Sequence, residues 1–148
     1  MTIHFIMNHL IQKHEQYALI SVKENDFAGT LANDLETVSR DLFREGFHNL
    51  IVDFTTTHTI DSAGISILKK INMLCSRELG IMVLVSDNDD FVDQLIDGKI
   101  RDVTILPTVE EGIDAVFMND LENDFGAESD DFDDEDFGED GYTKSEQP

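Results

Sequence analysis

One short segment places a carboxylate, a hydroxyl and a glycine where a strand is followed by a helix. The apolar run 49–54 predicts a buried strand, and Asp61-Ser62-Ala63-Gly64 predicts the start of the next helix. The first amides of a helix have no intrahelical acceptor and carry a partial positive charge. A phosphate attached to Ser62 would therefore lie among groups that stabilise an anion.

Hydrophobic periodicity predicts the elements that position this segment. Alternating or continuous apolar runs predict strands, and apolar residues spaced by three and four predict helices. The predicted strands are residues 3–11, 17–22, 49–54, 81–85 and 103–106, and the predicted helices are residues 28–45, 62–79, 88–97 and a final one that begins after Thr108. Thr108 and Glu111 have the spacing of a capping box, which supports a helix start there.

The alternation of strands and helices predicts an α/β fold with right-handed crossovers. We expect a mixed, mainly parallel sheet of about five strands with four helices, and an antiparallel hairpin at one edge. The apolar pattern ends near Met118, so we expect one domain over residues 1–118.

Acidic residues dominate the composition and are concentrated at the C-terminus. The chain has a net charge of −22, and residues 119–148 hold 13 carboxylates but one lysine. Because this stretch has few aliphatic side chains, we expect a disordered acidic tail over residues 119–148, without ordered structure beyond about residue 123. The charge disfavours binding to nucleic acid and to anionic membranes, and it favours basic protein surfaces as partners of the tail.

Several classes of protein are disfavoured by other features of the sequence. A single cysteine, Cys75, fits a reducing cytosol, and no apolar run is long enough to span a bilayer. The N-terminus lacks the basic region of a secretory signal, so we expect a cytoplasmic protein. We expect no enzyme activity, no catalytic residue, no cofactor and no bound metal.

The strand and helix start around Ser62 resemble a known family. Ile51-Val-Asp-Phe followed by Ile60-Asp-Ser-Ala-Gly-Ile is similar to the phosphorylation-site signature of STAS domains, which include bacterial anti-sigma factor antagonists. The resemblance covers roughly residues 3–118. Asp53 matches an acidic strand position of the family, and Asp26 lies near another. The segment 23–28 departs from the Gly-x-Leu-Asp pattern that the family has before its first helix.

The resemblance implies a phosphorylation-controlled, partner-binding protein. Ser62 would be phosphorylated by an ATP-dependent serine kinase that is also an anti-sigma factor, and a serine phosphatase would remove the phosphate. The unphosphorylated form would bind the kinase. The helix places an exposed ridge opposite its apolar stripe, formed by Ser62, Ile65, Ser66, Lys69 and Met73. With the adjoining residues, the expected partner-binding set is Asp26, Asp61, Ser62, Ala63, Gly64, Ile65, Ser66, Lys69 and Met73.

Other interpretations of the same residues remain open at this point. Ser62 could serve only as the helix N-cap, and Asp53 could be a structural aspartate rather than a receiver-type phosphoacceptor. A serine hydrolase is disfavoured because Ile60 occupies the position of the first glycine in Gly-x-Ser-x-Gly. The fold could also belong to an accessory subunit of an ABC-type transport complex, or to a sensor of a nucleotide or other small ligand.

Overall fold

The structure is a computed structural model that describes residues 2–6 and 9–129 of the 148-residue chain, with side-chain surroundings for residues 10–124. The chain divides into two units, Met1–Phe117 and Met118–Pro148. The strands are β1 (Thr2–Ile6), β2 (His9–Lys13), β3 (Ala18–Val22), β4 (Asp26–Phe27), β5 (Leu50–Asp53), β6 (Thr59–Ile60), β7 (Met82–Val85) and β8 (Thr104–Leu106). The helices are α1 (Gly29–Arg44), α2 (Ser62–Arg77), α3 (Asp89–Asp97) and α4 (Val109–Ser129).

Six strands form the main sheet in the order β1-β2-β3-β5-β7-β8. The pairs β1–β2 and β2–β3 are antiparallel, whereas β3–β5, β5–β7 and β7–β8 are parallel. Strands β4 and β6 form a separate parallel ladder of two residues each. The predicted mixed, mainly parallel sheet with an antiparallel edge and four helices is confirmed.

The strand count differs from the sequence prediction in two places. Residues 3–11 were expected to form one strand, but this part of the chain contributes two strands, β1 and β2, which pair antiparallel. The main sheet therefore has six strands rather than about five. The short ladder β4–β6 was also not expected, because two-residue strands leave no periodic pattern in the sequence.

Both faces of the sheet are covered, which explains the continuous apolar runs of its parallel strands. On one face, Leu50 and Val52 of β5 pack with the buried stripes of α1 and α2. On the other face, Ile51 of β5 packs with Val83 of β7 and with Val116 of α4. Spacings of three and four residues predict an apolar stripe on α2, and its members are Gly64, Ile67, Leu68, Ile71, Leu74 and Cys75. All of them are buried except Leu74, which is half-buried, so this stripe is confirmed.

Helix α4 begins at the predicted capping box and is longer than expected. The Glu111 amide donates to the Thr108 hydroxyl at 3.2 Å, and that hydroxyl donates to the Glu111 carboxylate at 2.9 Å. The helix continues to Ser129, past the residue near 123 at which order was expected to end. The disordered tail was predicted over residues 119–148. Of these, residues 119–129 belong to α4, which corrects the prediction, and residues 130–148 lie outside the described residues. Within the described part, no helix is long and apolar enough to cross a membrane.

Candidate functional site at the start of helix α2

The candidate site begins where β5 ends at the carboxyl edge of the sheet. Asp53, the last residue of β5, is half-buried, and its carboxylate accepts the Thr55 amide at 2.9 Å. This bond turns the chain away from the strand, as Asx residues commonly do. Asp53 therefore has a structural part in the loop, which favours the structural interpretation over the receiver-type one.

Two threonines fix the loop that leads from β5 to α2. The Thr56 hydroxyl donates to the Val22 carbonyl at 3.1 Å, and the Thr57 hydroxyl donates to the Glu24 carbonyl at 2.8 Å. Thr57 is fully buried, so its bond also satisfies a polar group that has lost contact with water. These hydroxyls hold the loop to the segment that follows β3.

The ladder β4–β6 brings Asp26 to the start of α2. Asp26 pairs with Thr59 in the register of the ladder, and the Thr59 hydroxyl donates to the Asp26 carboxylate. The Asp61 amide donates to the Phe27 carbonyl at 3.4 Å and extends the contact by one residue. The ladder thus places Asp26 beside the segment that leads into α2, despite the departure from the family pattern at residues 23–28. The expected part of Asp26 in partner binding stays a prediction.

Asp61, not Ser62, caps helix α2. Its carboxylate accepts the Gly64 amide at 2.8 Å, and its carbonyl accepts the Ile65 amide at 3.0 Å. The interpretation of Ser62 as the N-cap is therefore wrong, because Ser62 is the first helical residue. The side chain of Ser62 is exposed and has no hydrogen-bond partner among the described residues.

The first two amides of α2 are also uncommitted. A helix leaves its first amides without intrahelical acceptors, and the Asp61 side chain accepts only the Gly64 amide among them. Within the described residues, the amides of Ser62 and Ala63 have no acceptor. The helix start therefore combines an exposed hydroxyl with two free donors, an arrangement that can hold a phosphate on that hydroxyl.

Gly64 is buried, and its place is set by close packing rather than by contact with a partner. A Cβ at this position would lie 2.8 Å from the Phe27 carbonyl oxygen and 2.8 Å from the Ile60 side chain. The absence of a side chain lets α2 approach the ladder β4–β6 closely. Gly64 belongs to the predicted partner-binding set by position, but it offers no exposed surface.

The ridge predicted on α2 is exposed except at one residue. Ser62, Ser66, Lys69 and Met73 of the ridge are exposed, with Met73 at 50 % of its full accessible surface, and the adjoining Ala63 is exposed as well. Ile65, predicted on the ridge, is instead half-buried and packs against the core. A Cβ at Gly98 would lie 2.4 Å from its Cδ1 atom, so Gly98 makes room for Ile65 beside α3.

A side chain from α3 holds the loop and was not identified from the sequence. The Ile60 amide donates to the Gln94 side-chain oxygen at 3.1 Å, and the Gln94 amide group donates to the His58 carbonyl at 3.0 Å. Beneath the same loop, the rings of Phe27, Phe54 and Phe91 pack in series, with centroid separations of 5.1 and 5.2 Å. The contacts of Gln94 span more than 30 residues, so no local pattern signals them.

The thiol of Cys75, near the end of α2, is buried. Burial raises the pKa of the Cys75 thiol to about 12, against a smaller opposing effect of its hydrogen bond with the Leu50 backbone. The thiol is therefore protonated and unreactive at neutral pH. Ser62 and Cys75 lie on the same helix, and of these two only Ser62 is accessible to another protein.

Comparison with known proteins identifies a family. The family model of the STAS domain matches residues 8–112. No curated protein matches the sequence.

Several solved structures share the fold. An anti-sigma factor antagonist from Mycobacterium paratuberculosis is 19 % identical, with a TM-score of 0.63 over 73 % of this chain and 92 % of that one. The unphosphorylated anti-sigma factor antagonist SpoIIAA is 14 % identical, with a TM-score of 0.63 over 73 % and 95 %. The protein TM1081 is 20 % identical, with a TM-score of 0.63 over 76 % and 90 %. The expected STAS-like fold is confirmed.

Proposed function

The chain belongs to the STAS domain family, and on that premise we propose that it acts as an anti-sigma factor antagonist-like switch. In its unphosphorylated form it binds an anti-sigma factor that is also a serine kinase. Phosphorylation of Ser62 releases the kinase, and a serine phosphatase restores the binding form. Two of the proteins that share the fold are described as anti-sigma factor antagonists, which supports this class of function.

The proposal depends on one observation: Asp61 is the cap of α2, and Ser62 is the first residue of the helix. Because Asp61 caps α2, the Ser62 hydroxyl is exposed and uncommitted and can enter the active site of a kinase. A serine that capped the helix would have to give up its bond to the helix before it could accept a phosphate. The expected phosphorylation at Ser62 is thus compatible with an unchanged fold.

The electrostatic effect of the phosphate explains how phosphorylation would release a partner. A phosphoserine adds about −1.5 to −2 charges at neutral pH. On Ser62 the phosphate would lie next to the Asp61 carboxylate, in a chain that already carries a net charge of −22. The free amides of Ser62 and Ala63 would hold the phosphate in place. A docked protein, however, would have to strip water from the phosphate and place its own surface against the added charge.

The exposed ridge of α2 is the surface on which the kinase would dock. Ser66, Lys69 and Met73 continue from Ser62 along the same side of the helix and are exposed. The ladder that holds Asp26 lies at the same end as Ser62, so it could contribute to the same interface. A protein that covers this ridge would cover the Ser62 hydroxyl, which couples docking to phosphorylation.

Intact-mass analysis of the full chain tests the proposal. The protein would be incubated with ATP and, separately, with each serine kinase encoded next to its gene. We expect the addition of one phosphate to the wild-type chain and to the matched control Ser66→Ala, and no addition to Ser62→Ala. Equal phosphorylation of Ser62→Ala and the wild type would contradict the proposal. In a pull-down with the same chain, recovery of a transporter ATPase in place of a kinase would favour the alternative that the chain is an accessory subunit of a transport complex.

A further inference from the structure

A basic groove lies beside the second half of α2. It is formed by the outer face of that helix and by the loop 98–103, which connects α3 to β8, and it has a volume of about 530 Å³. Its lining residues are Lys69, Lys70, Asn72, Met73, Ser76, Lys99, Arg101 and Asp102. Four of the ten basic residues of the chain line this groove, together with one carboxylate. Such a concentration of positive charge is unexpected in a chain with a net charge of −22.

The loop that forms one wall of the groove is held in place. The side-chain amide of Asn72 donates to the Arg101 carbonyl at 2.7 Å and ties the loop to α2. Lys99 and Asp102 both adopt left-handed backbone conformations, with φ of 57°. Non-glycine residues adopt this conformation at a cost that the surrounding structure must offset. Contacts within the fold therefore hold this wall of the groove.

The four basic side chains of the groove have no acidic partner in the described part of the chain. The ion pairs found there join Lys13 to Glu45, Arg40 to Glu36 and Arg44 to Asp41. None of these three ion pairs includes a base of the groove or Asp102. Grouped like charges repel one another, so an anionic ligand would lower the free energy of this arrangement.

The groove continues the docking ridge of α2, since Lys69 and Met73 belong to both. At 1.5 Å per helical residue, Lys69 lies about 10 Å along the helix from Ser62. We propose that the groove receives an acidic segment of the same protein that docks over Ser62. This inference rests on the proposed function for the identity of the partner. The acidic segment would orient the partner, because it fixes which end of the docked protein lies over Ser62.

Fluorescence anisotropy with a labelled glutamate-rich peptide tests the groove directly, at low ionic strength and with the full-length chain. The test variant is Arg101→Glu, because the loop is held through the Arg101 carbonyl, which the substitution leaves in place. The matched control is Lys23→Glu, which makes the same change of charge at an exposed lysine outside the groove. Thermal unfolding of both variants checks that the fold is retained.

We expect the peptide to bind the wild type and Lys23→Glu with similar affinity, and to bind Arg101→Glu at least about tenfold more weakly. The corresponding glutamine-rich peptide should not bind, and added salt should weaken the complex. Equal affinity of the two variants, or no binding of the peptide to the wild type, would overturn the proposal.

Two further titrations distinguish an acidic segment of a partner from other ligands of the groove. If inorganic pyrophosphate binds and the peptide does not, the groove takes a small anion and the proposal is overturned. The proposal is also overturned if the peptide binds only after the nine carboxylates of residues 130–148 are changed to amides, because the chain's own acidic segment is then the occupant. None of these titrations involves Ser62 or a kinase, so a failure of Ser62 phosphorylation would leave their result unchanged.

Discussion

Helices α2 and α3 begin in the same way and differ in the residues that follow the cap. In α2 the Asp61 side chain accepts the Gly64 amide at 2.8 Å, three residues along the chain. In α3 the Asn88 side chain accepts the Phe91 amide at 3.0 Å, with the same spacing. Both helices begin beyond the carboxyl end of a parallel strand, so their first turns face the same edge of the sheet.

The first turns differ in charge. Helix α3 has two carboxylates there, Asp89 and Asp90, which complement the partial positive charge of a helix start. Helix α2 has Ser62 and Ala63 at the corresponding positions, and its first turn contains no acidic residue. The first turn of α3 therefore carries two carboxylates permanently. In α2 the proposed phosphorylation of Ser62 would add negative charge to the first turn, next to the Asp61 carboxylate of the cap.

The largest effect on stability should come from the anchor of α3. Phe91 is fully buried against Phe54, so Phe91→Ala should lower the free energy of unfolding by about 3–5 kcal/mol. The control is Phe117→Ala, whose side chain is 42 % exposed and should cost much less. Urea denaturation measures both variants, and equal losses would show that the α3 anchor is not part of the core.

Ser62→Asp gives α2 the carboxylate that α3 already has, and it should weaken binding to the kinase identified by the mass assay. We expect a loss of about 2–5 kcal/mol in binding free energy, because a charge is placed inside a docked surface. Ser62→Ala should bind as well as the wild type. Calorimetric titration measures both, and equal affinities of the two variants would refute a charge-controlled interface.

Gly64→Ala tests the close approach of α2 to the ladder β4–β6. The added Cβ would lie 2.8 Å from the Phe27 carbonyl oxygen, a backbone atom that cannot move independently. We expect a loss of about 1–3 kcal/mol in unfolding free energy, measured by urea denaturation. Ser62→Ala, an exposed substitution in the same turn, is the control. Unchanged stability of Gly64→Ala would show that the helix can shift without cost.

The two caps should contribute similarly to stability. Asp61→Ala and Asn88→Ala each remove one acceptor, and each should cost about 1 kcal/mol. Asp61→Asn, which keeps an acceptor oxygen, should cost less than Asp61→Ala. Thermal unfolding compares the three variants. A negligible effect of Asp61→Ala would weaken the assignment of Asp61 as the residue that frees Ser62.

The smallest effect expected is on the stability of α2 itself. Ser62→Asp should raise the unfolding free energy by about 0.3–1 kcal/mol at low salt, because the new carboxylate complements the helix start. Asp89→Ala should lower it by a similar amount through the reverse change in α3. Urea denaturation at two salt concentrations measures both effects, and an effect that does not decrease with salt would exclude the electrostatic origin.

The sequence predicted the features that depend on neighbouring residues. The buried stripe of α2 and the capping box of α4 follow from spacings of three and four residues, which a helix translates directly into one face or one turn. The segment Asp61–Gly64 was identified as the start of a helix for the same reason. The choice between Asp61 and Ser62 as the cap was not predictable, because both residue types can accept the same amide.

The features that the sequence did not predict depend on contacts between distant segments. Gln94 reaches the loop before α2 across more than 30 residues, and the ladder β4–β6 joins two strands too short to have a period. The basic groove combines Lys69 with Arg101, which are unremarkable in separate parts of the sequence. Half-burial of Ile65 likewise depends on Gly98 of a neighbouring element.

Because Cys75 of α2 is buried, its reaction with a thiol reagent reports movement of this helix. It is the sole cysteine of the sequence, and a thiol reagent can reach it only when α2 separates transiently from the sheet. The rate of thiol labelling under native conditions therefore measures the free energy of that local opening, without any introduced probe. Comparing this rate before and after phosphate transfer would show whether the modification acts on the surface alone or also loosens the helix beneath it.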